Sequence, residues 1–540
     1  MTMVRLAIRL RPARIGLSLL VLFSASVLLS ACQSGSEQKK NDSSQGAAQP
    51  PLKFSVNSVE YSRALKTAAD SAKLDSAIQA ADSAIQAADS AKLGSVTPTA
   101  DTLDLLTLST EFDAQIVVHN YKDFDSLAVD GVALKDSMAS VPVSRIAKDA
   151  FLTLSWKRGG SRGSLLLRTL HKLVPNMTVT QDLSKGPMSA GDFYLSYVYL
   201  RLIQKIGNNG QYLFYRFEPK VDTSGNCTGW WDFKKHHGDD GKIYYSYHEP
   251  DSTYASWRFN GFNPGKRVLL DESYNKLKEI QLEAADSIQE GYPVDGHDFY
   301  LFNSEHYILM SYIDRVVNVK DRDTVASAYI QEVDSGKVVF DWWSVDHDTL
   351  FSMLDPVFDT TAGKDYVHMN SIDVLPDSNL LCSFRHISSV LKIQRDSAGK
   401  ILWRLDGTSS SNAFHGQHFV RYHDDDGSIT LFNNDNGPNN TQLLRFYMGD
   451  MDKGSVKNKT VLRNDGYFAQ ACGALTFSGK NVIAGWGIPG DTTSFRRLVA
   501  EYNSTGGLIF SLERDSVKVS EEKIFGATAF MATYRAAKYE

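Results

Sequence analysis

Residues 396–405 read Asp-Ser-Ala-Gly-Lys-Ile-Leu-Trp-Arg-Leu, a polar turn that leads directly into an apolar strand. The same plan recurs at residues 271–280, 334–342 and 503–512. The first three copies along the chain are roughly sixty residues apart, and the wider gap before the fourth indicates a degraded copy near Lys453. The Asp, Asn and Gly residues of these turns favour tight hairpins. Several short strands per unit at this period predict a β-propeller.

The fold class predicted from this repeat is all-β. Residues 189–540 are long enough for a six-bladed propeller that would carry any catalysis, with five and seven blades as alternatives. Upstream, short β-type runs such as Ala114–His119 and Phe151–Trp156 predict a small β-sandwich over residues 106–188. Because a propeller brings strand ends and loops to a central channel, residues far apart in sequence can face one small ligand.

The first residues predict export. Four arginines precede an apolar run from Ile15 to Leu29, and Leu29-Ser-Ala-Cys32 follows, so residues 1–31 are typical of a secretory signal peptide. The ending resembles a bacterial lipobox, which implies cleavage before Cys32 and a lipid on its thiol. We therefore expect an exported protein, anchored by lipid to a bacterial membrane. The alternative is an uncleaved transmembrane anchor, for which about fifteen apolar residues is short.

Two further segments precede the sandwich. Residues 32–52 offer almost nothing to bury and predict a disordered tether. Residues 53–105 contain Asp75-Ser-Ala-Ile-Gln-Ala-Ala, repeated unchanged from Asp82, in a low-complexity, alanine-rich stretch. This pattern predicts a helical stalk, with a self-associating coiled coil as the alternative.

The charge and the cysteine content exclude some classes of function. The formal net charge is −6, and removing residues 1–31 leaves 53 basic and 63 acidic residues, or −10, which argues against a nucleic-acid partner. Cys227, Cys382 and Cys472 remain after Cys32, and none has the spacing of a metal finger. An exported protein can join one pair, but the pairing is left open.

Histidine is the most informative residue type. His297, His368, His386 and His418 all lie beside turns or strand starts in the propeller half, and Arg385 precedes His386. A neutral imidazole is a good nucleophile toward phosphoryl or sulfuryl centres. Charged imidazoles and a guanidinium can stabilise the oxygens of the transferring group, and another imidazole can protonate the leaving group.

Two other interpretations of these histidines stay open. Each one, taken singly, is compatible with a hydrogen-bonded structural role. Three together could also bind a metal ion. Because no His-x-His or His-Glu-x-x-His spacing occurs, we predict neither a metal nor any other cofactor.

The order of these pieces resembles the arylsulfotransferase family. The stretches that carry the resemblance are His368-Met-Asn-Ser371, Ser383-Phe-Arg-His386, Ile401–Leu405, Phe414-His-Gly-Gln-His418 and Gly427–Asn434. The resemblance implies a bacterial, exported, six-bladed propeller preceded by a β-sandwich. It also implies sulfuryl transfer from a phenolic sulfate to a phenol through a sulfohistidine, without a nucleotide donor.

Carried over by position, the resemblance makes His418 the nucleophile. His297, His368 and Arg385 would hold and polarise the sulfuryl oxygens, and Asn370 would complete the site. The neighbouring His386 and Gln417 have no assigned role. His415, three residues before His418, is a rival nucleophile.

Two other functions fit the same residues. The first is a non-catalytic surface propeller that binds a sulfated or other anionic ligand, or a partner protein. The second is a hydrolase of sulfate or phosphate esters, in which water replaces the acceptor. For the transferase we expect a phenolic sulfate donor, a phenol acceptor, membrane contact only through the lipid and no nucleic acid. A homodimer is left open.

Overall fold

Strands and tight turns make up almost all of the described structure. The computed structural model describes residues 52–56, 59–63, 102–104, 114–141, 151–168, 174, 177–210, 212–218, 229–251, 253, 261–285, 287–319, 322–358, 364–490, 496–514 and 532–540. Short 3-10 turns lie at Tyr121–Asp123, Leu183–Lys185, Ser344–Asp346, Asp348–Ser352 and Pro356–Phe358. The all-β prediction is confirmed.

The first nine described strands of the chain form two sheets, and the tenth pairs with a strand from the C-terminal part. Their bounds are β1 Leu52–Val56, β2 Val59–Arg63, β3 Thr102–Asp104, β4 Ala114–Val118, β5 Ser126–Val129, β6 Val132–Ala133, β7 Met138–Val141, β8 Phe151–Arg158, β9 Ser161–Arg168 and β10 Met177–Gln181. One sheet has the order β2-β1-β4-β7 and the other β3-β9-β8-β5-β6. Phe54 and Val118 on the first sheet and Leu154 on the second are fully buried in one apolar cluster.

Part of the predicted helical stalk is instead strand. Only the two ends of residues 53–105 are described, and they contain strands β1, β2 and β3. Strand β1 pairs with both β2 and β4. The alternation of apolar and polar residue types in Val59-Glu-Tyr-Ser-Arg63 is the sequence pattern typical of a strand. The heptad repeat at Asp75 and Asp82, the signal peptide, Cys32 and all of the tether except Leu52 lie outside the described residues. Among the described residues, no helix is long and apolar enough to cross a membrane.

The remaining strands form six main sheets. Their bounds are β11 Asp192–Tyr197, β12 Leu202–Ile206, β13 Tyr212–Phe217, β14 Trp231–His237, β15 Ile243–Pro250, β16 Pro264–Leu270, β17 Lys276–Ile280, β18 Val294–Asp295, β19 Tyr300–Asn303, β20 His306–Val319, β21 Arg322–Asp334, β22 Lys337–Trp343, β23 Met369–Val374, β24 Leu380–Phe384, β25 Ser389–Ile393, β26 Ile401–Asp406, β27 His418–His423, β28 Ser428–Asn433, β29 Gln442–Asp450, β30 Ser455–Arg463, β31 Ala469–Ala471, β32 Ala474–Ser478, β33 Asn481–Gly485, β34 Ile488–Pro489, β35 Arg497–Tyr502, β36 Leu508–Arg514 and β37 Thr533–Tyr539.

Each of the six sheets is an antiparallel meander. Four are built from consecutive strands, with the orders β14-β15-β16-β17, β19-β20-β21-β22, β23-β24-β25-β26 and β27-β28-β29-β30. The other two join distant parts of the chain, with the orders β13-β12-β11-β37 and β10-β36-β35-β33-β32. Strand β10 therefore belongs to a C-terminal sheet, although the predicted sandwich boundary at residue 188 places it upstream.

The repeated polar turns join the third and fourth strands of successive sheets. Asp271 accepts hydrogen bonds from the backbone N–H groups of two residues further along its turn, at 2.9 and 2.8 Å. Asp396 and Asn503 do the same in their turns. Asp450 does so in the turn that contains Lys453, where the sequence indicates a degraded copy. These side-chain caps explain why Asp or Asn begins each copy.

One buried carboxylate connects five of the six sheets. Asp298, just before β19, lies 2.5 Å from Lys234 on β14, 2.9 Å from Arg421 on β27 and 3.2 Å from Arg535 on β37. It also accepts the backbone N–H of Ile372 on β23 at 3.0 Å. Burial alone would raise the pKa of Asp298, but the cations around it hold the pKa well below its usual range. The carboxylate is therefore ionised and ties the strand starts together.

We expect Asp298→Ala to destabilise the fold by about 3–5 kcal/mol, because it leaves three buried cations without their shared partner. Urea unfolding of the variant measures this. Glu305→Ala is the matched control, since the Glu305 carboxylate pairs with Lys278 in a largely exposed position. If Asp298→Ala lowers the free energy of unfolding no more than Glu305→Ala does, this account of the buried carboxylate is contradicted.

Candidate active site

The site residues lie where the first strand of each sheet is irregular. The register shifts between Met369 and Ser371 in β23 and between His418 and Arg421 in β27. His368 and Phe419 at these points have positive φ, at 49° and 53°. A bulge re-aims the side chains beside it, and a left-handed residue costs about 1–3 kcal/mol that the surrounding structure must offset. Such strain is common at functional sites.

The His418 ring is held by Asn434. The Nδ1 atom of His418 lies 2.7 Å from Oδ1 of Asn434. The Nδ2 of Asn434 donates to the carbonyls of Ala469 and Cys472, at 2.8 and 3.1 Å, which fixes the orientation of the amide. Nδ1 of His418 must therefore carry the proton, and Nε2 carries the lone pair. A backbone N–H, that of Cys472, approaches this Nε2 at 3.3 Å.

Carboxylates hold two other imidazoles in the same way. Nδ1 of His297 lies 2.5 Å from Oδ1 of Asp295, which also accepts the backbone N–H of His297 at 2.9 Å. Nδ1 of His368 bonds to Asp365, which accepts the backbone N–H of His368 at 2.9 Å. Each of these Nδ1 atoms is anchored, so each ring can present Nε2 to a ligand.

The sequence-predicted residues form one cluster. The ring centroids of His297 and His368 are 5.0 Å apart, and those of His368 and His386 are 4.6 Å apart. The charges of Arg385, His297 and His368 all act on His418. The backbone N–H of Arg385 donates to the carbonyl of His368 at 2.8 Å. The predicted histidines and the arginine are thus neighbours, although they come from three different sheets.

Burial keeps His418, His368 and His386 neutral. It lowers the pKa of His418 well below its usual range, and the charge of Arg385 adds to the effect. Burial likewise lowers the pKa of His368, and that of His386 to about 3. It raises the pKa of Asp365 to about 6. A neutral His418 is in the protonation state that nucleophilic attack requires.

Arg385 is the cation of the cluster. Its guanidinium lies over the Phe358 ring, 4.5 Å from the centroid, and donates to the carbonyl of Gln470 at 3.3 Å and to Asn436 at 3.5 Å. Burial lowers the pKa of Arg385 to about 10, so it remains charged. Among the described residues, no carboxylate lies within ion-pair distance of it. Its charge is available to an anion.

Asn370 and Gln417 belong to the hydrogen bonds around the loop that leads to His418. Nδ2 of Asn370 donates to the carbonyl of Gln417 at 2.8 Å, which fixes the peptide that precedes His418. The amide of Gln417 points away, into the β23–β26 sheet, and donates to Ser383 Oγ at 3.0 Å. A direct contact between Asn370 and a sulfuryl oxygen stays a prediction.

His415, the rival nucleophile, is already paired. Its Nδ1 lies 2.7 Å from Oδ2 of Asp355, which also accepts a hydrogen bond from Ser388 at 2.6 Å. The hydrogen bond to Asp355 raises the pKa of His415. Gly416 separates the two histidines at φ +67°, where an added Cβ would meet Asn436 and Phe358. A more basic, ion-paired His415 is the poorer nucleophile of the two.

A metal ion is the remaining alternative for part of the cluster. Ligating atoms of Asp365, His368 and His386 lie within 4.8 Å of one another. However, Nδ1 of His368 bonds to the Asp365 side chain, and Nδ1 of His386 donates to the Asp365 carbonyl at 2.7 Å. The three residues are therefore linked directly to one another, which favours the hydrogen-bonded interpretation.

Aromatic side chains surround the imidazoles. Phe262 stacks on His368 with a centroid distance of 5.7 Å, and Phe358 lies 5.1 Å from the His386 ring. Trp231 meets His297 edge to face at 5.3 Å and stacks on Tyr534 at 4.3 Å. Such walls suit a flat apolar ring.

The sequence prediction missed the anchors. It did not single out Asp295, Asp365 or Asn434 as partners of the histidines. The available signal was an aspartate two or three residues before each of His297 and His368. Asn434 is sixteen residues from His418 and gives no such signal. Cys382 and Cys472 are both buried and are not joined to each other, and Cys227 lies outside the described residues.

A family model matches the part of the chain that contains the site. Residues 253–467 match the family model described as Arylsulfotransferase (ASST). This match contains all five predicted catalytic residues and confirms the resemblance to the arylsulfotransferase family. It supports an arylsulfotransferase-like function in general terms.

Solved structures are similar only at a low level. A protein of unknown function from Bacteroides caccae has 11% identity and a TM-score of 0.38, covering 65% of this chain and 100% of that one. Virginiamycin B lyase from Staphylococcus aureus has 11% identity and a TM-score of 0.31, covering 68% and 93%. Similarity at this level says nothing about function. No curated protein matches the chain in sequence.

The His415–Asp355 pair predicts a pH-dependent stability. Because the folded-state pKa of His415 is raised, the pair stabilises fully below the unfolded pKa of about 6.5, and the contribution is lost as pH rises through the folded pKa. We expect His415→Asn to cost about 1 kcal/mol at about pH 5.5 and less at about pH 8.5. Urea unfolding at both pH values measures this. A cost that is unchanged, or larger at the higher pH, would contradict the pairing.

Proposed function

We propose that this protein is an arylsulfotransferase that moves a sulfuryl group from a phenolic sulfate to a phenolic acceptor through a sulfohistidine at His418. The observation that carries the proposal is the environment of that ring. Its Nδ1 is bound by Asn434, its Nε2 carries the lone pair, and its pKa is lowered by burial. Beside it lie Arg385, which has no carboxylate partner among the described residues, and two further anchored imidazoles. The family match over the same residues supports this chemistry.

In the first half-reaction, Nε2 of His418 attacks the sulfur of the aryl sulfate. The N–S bond forms as the bond between sulfur and the phenolic oxygen breaks, and the phenolate leaves with the electron pair. Arg385, together with His297 and His368 when each carries a second proton on Nε2 beside its carboxylate partner, would hold the sulfuryl oxygens and spread their charge over several donors. A phenolate is already a fairly good leaving group, so positioning and charge stabilisation do most of the catalysis.

In the second half-reaction, the acceptor phenol gives its proton to a base and attacks the sulfur. The N–S bond breaks, and the ring returns to its neutral form. Covalent transfer in two steps predicts ping-pong kinetics. Among the described residues, the four cations Lys234, Arg267, Arg421 and Arg535 form ion pairs with two carboxylates, Asp232 and Asp298. This local excess of positive charge suits an anionic donor.

The fold that we propose for this reaction is a six-bladed propeller. The six meander sheets would be its blades, with β37 and β14, β32 and β37, and β23 and β27 as neighbouring inner strands that lie in contact. The β13-β12-β11-β37 sheet would close the ring by joining the two ends of the catalytic part. The two N-terminal sheets would form the β-sandwich.

Export and lipid anchoring at Cys32 complete the proposal. A periplasmic or surface location would separate the enzyme from cytosolic nucleotide sulfates and is consistent with phenolic sulfate donors. Radiolabelled fatty acid incorporation in a bacterial host, compared between wild type and Cys32→Ser, tests the anchor. Equal labelling of the two proteins would contradict it.

The function is tested by phenolate release from a chromogenic aryl sulfate in the presence of phenol. We expect wild type to turn over and His418→Ala to lose activity by about 10³-fold or more, because it lacks the nucleophile. His423→Ala is the matched control, since His423 lies on the same strand and bonds to Thr430 instead; it should stay within about twofold of wild type.

Three outcomes separate the candidate functions. Equal rates in wild type and His418→Ala would contradict the nucleophile. No turnover, together with saturable binding of the aryl sulfate, would favour a non-catalytic anion-binding protein. Release of inorganic sulfate with no phenyl sulfate product would favour a hydrolase.

A further inference from the structure

The three anchored histidines differ in the chemistry of their Nδ1 partners. Carboxylates bind Nδ1 of His297 and His368, whereas a carboxamide, that of Asn434, binds Nδ1 of His418. A carboxylate stabilises an imidazolium and can accept its proton. A carboxamide oxygen accepts the hydrogen bond but does not take the proton.

We propose that Asn434 is a positioning residue that sets the charge state of His418 throughout the reaction, and that the carboxylate partners of His297 and His368 let those rings take a second proton, on Nε2, when they bind an anion. The inference rests on the proposed function, whose nucleophile is His418. The inference adds a reason why the His418 ring reacts with sulfur whereas its two neighbours bind the anionic oxygens. The orientation of the Asn434 amide is fixed by two carbonyls, so the role does not depend on a choice of rotamer.

The carboxamide matters most after the covalent bond forms. Attack by Nε2 leaves the sulfated ring with a positive charge and a proton on Nδ1. Asn434 cannot remove that proton, so the ring stays cationic and departs as neutral imidazole when the acceptor attacks. An aspartate at this position would take the proton and leave a neutral N-sulfo ring. Displacing sulfur from that ring would expel an imidazolide anion, a much poorer leaving group.

The charges around His418 favour the same role. Arg385, in the loop after β24, and His297 and His368, at their own strand starts, all act to lower the pKa of the His418 ring. The backbone N–H of Cys472 approaches Nε2 from the side of β31. Among the described residues, no carboxylate hydrogen-bonds to His418. A carboxylate in place of the Asn434 amide would therefore change the charge balance of the ring substantially.

Asn434→Asp tests the inference in the full-length protein. We expect the His418 pKa, followed by NMR of ¹³C-labelled histidine and assigned with His418→Ala, to rise by about one unit or more. We also expect the acidic limb of the pH–rate profile of the first half-reaction to move to higher pH. Discharge of the sulfated enzyme to phenol should slow by about tenfold or more, so that the adduct accumulates. Asn434→Ala should slow the reaction without moving the limb.

An unchanged His418 pKa in folded Asn434→Asp, or equal pH profiles of Asn434→Asp and Asn434→Ala, would overturn the inference. If the lost Asn434 donors prevent folding, Asp295→Asn provides the second test. It removes charge without changing shape, so KM for the aryl sulfate should rise about tenfold while the acidic limb stays in place. An unchanged KM would overturn the inference. A raised His418 pKa in an enzyme whose wild type does not turn over would reject the proposed function alone.

Discussion

The structure depends on the buried carboxylate of Asp298. Its partners on β14, β23, β27 and β37 are separated from it by up to 237 residues of sequence, and each interaction fixes the start of a different sheet. His297 precedes Asp298 directly, and its own carbonyl accepts hydrogen bonds from Tyr534 and Arg535. The position of His297, the first of the predicted site histidines, is therefore set by the same interactions that hold the sheets together.

The site is rigid, and it places neutral imidazoles beside a cationic guanidinium. Burial removes water from the imidazoles and keeps His418 and His368 neutral, while Arg385 stays cationic and is not neutralised by any described carboxylate. Each ring has one nitrogen committed to an anchor. Such preorganisation means that the proposed sulfuryl transfer would need little rearrangement of the site, and preorganisation is the main source of electrostatic catalysis.

Features that depend on neighbouring residues could be predicted from the sequence, whereas strand pairings between distant parts of the chain could not. The capped turns at Asp271 and Asp396 predict hairpins because the cap lies within the turn itself. Val59–Arg63 became a strand because it pairs with β1, which the alanine-rich composition of the neighbouring residues concealed. The pairing of β10 with β36 and of β11 with β37 depends on tertiary contacts across more than three hundred residues.

The same distinction applies to the site. His297, His368, Arg385 and His418 could be chosen from residue type and order. The choice between His415 and His418 could not, because Asp355 and Asn434 decide it from sixty and sixteen residues away. Only the folded chain shows that His415 is ion-paired and more basic, whereas His418 is neutral and has its proton on Nδ1, which leaves the lone pair on Nε2.

The most direct test is mass spectrometry of the enzyme after brief incubation with an aryl sulfate and no acceptor. The account predicts a gain of one sulfuryl group, about 80 Da, on the peptide that contains His418, with fragmentation placing it on that residue. The adduct should disappear when phenol is added. Turnover without any adduct, or an adduct on His415 in place of His418, would contradict it.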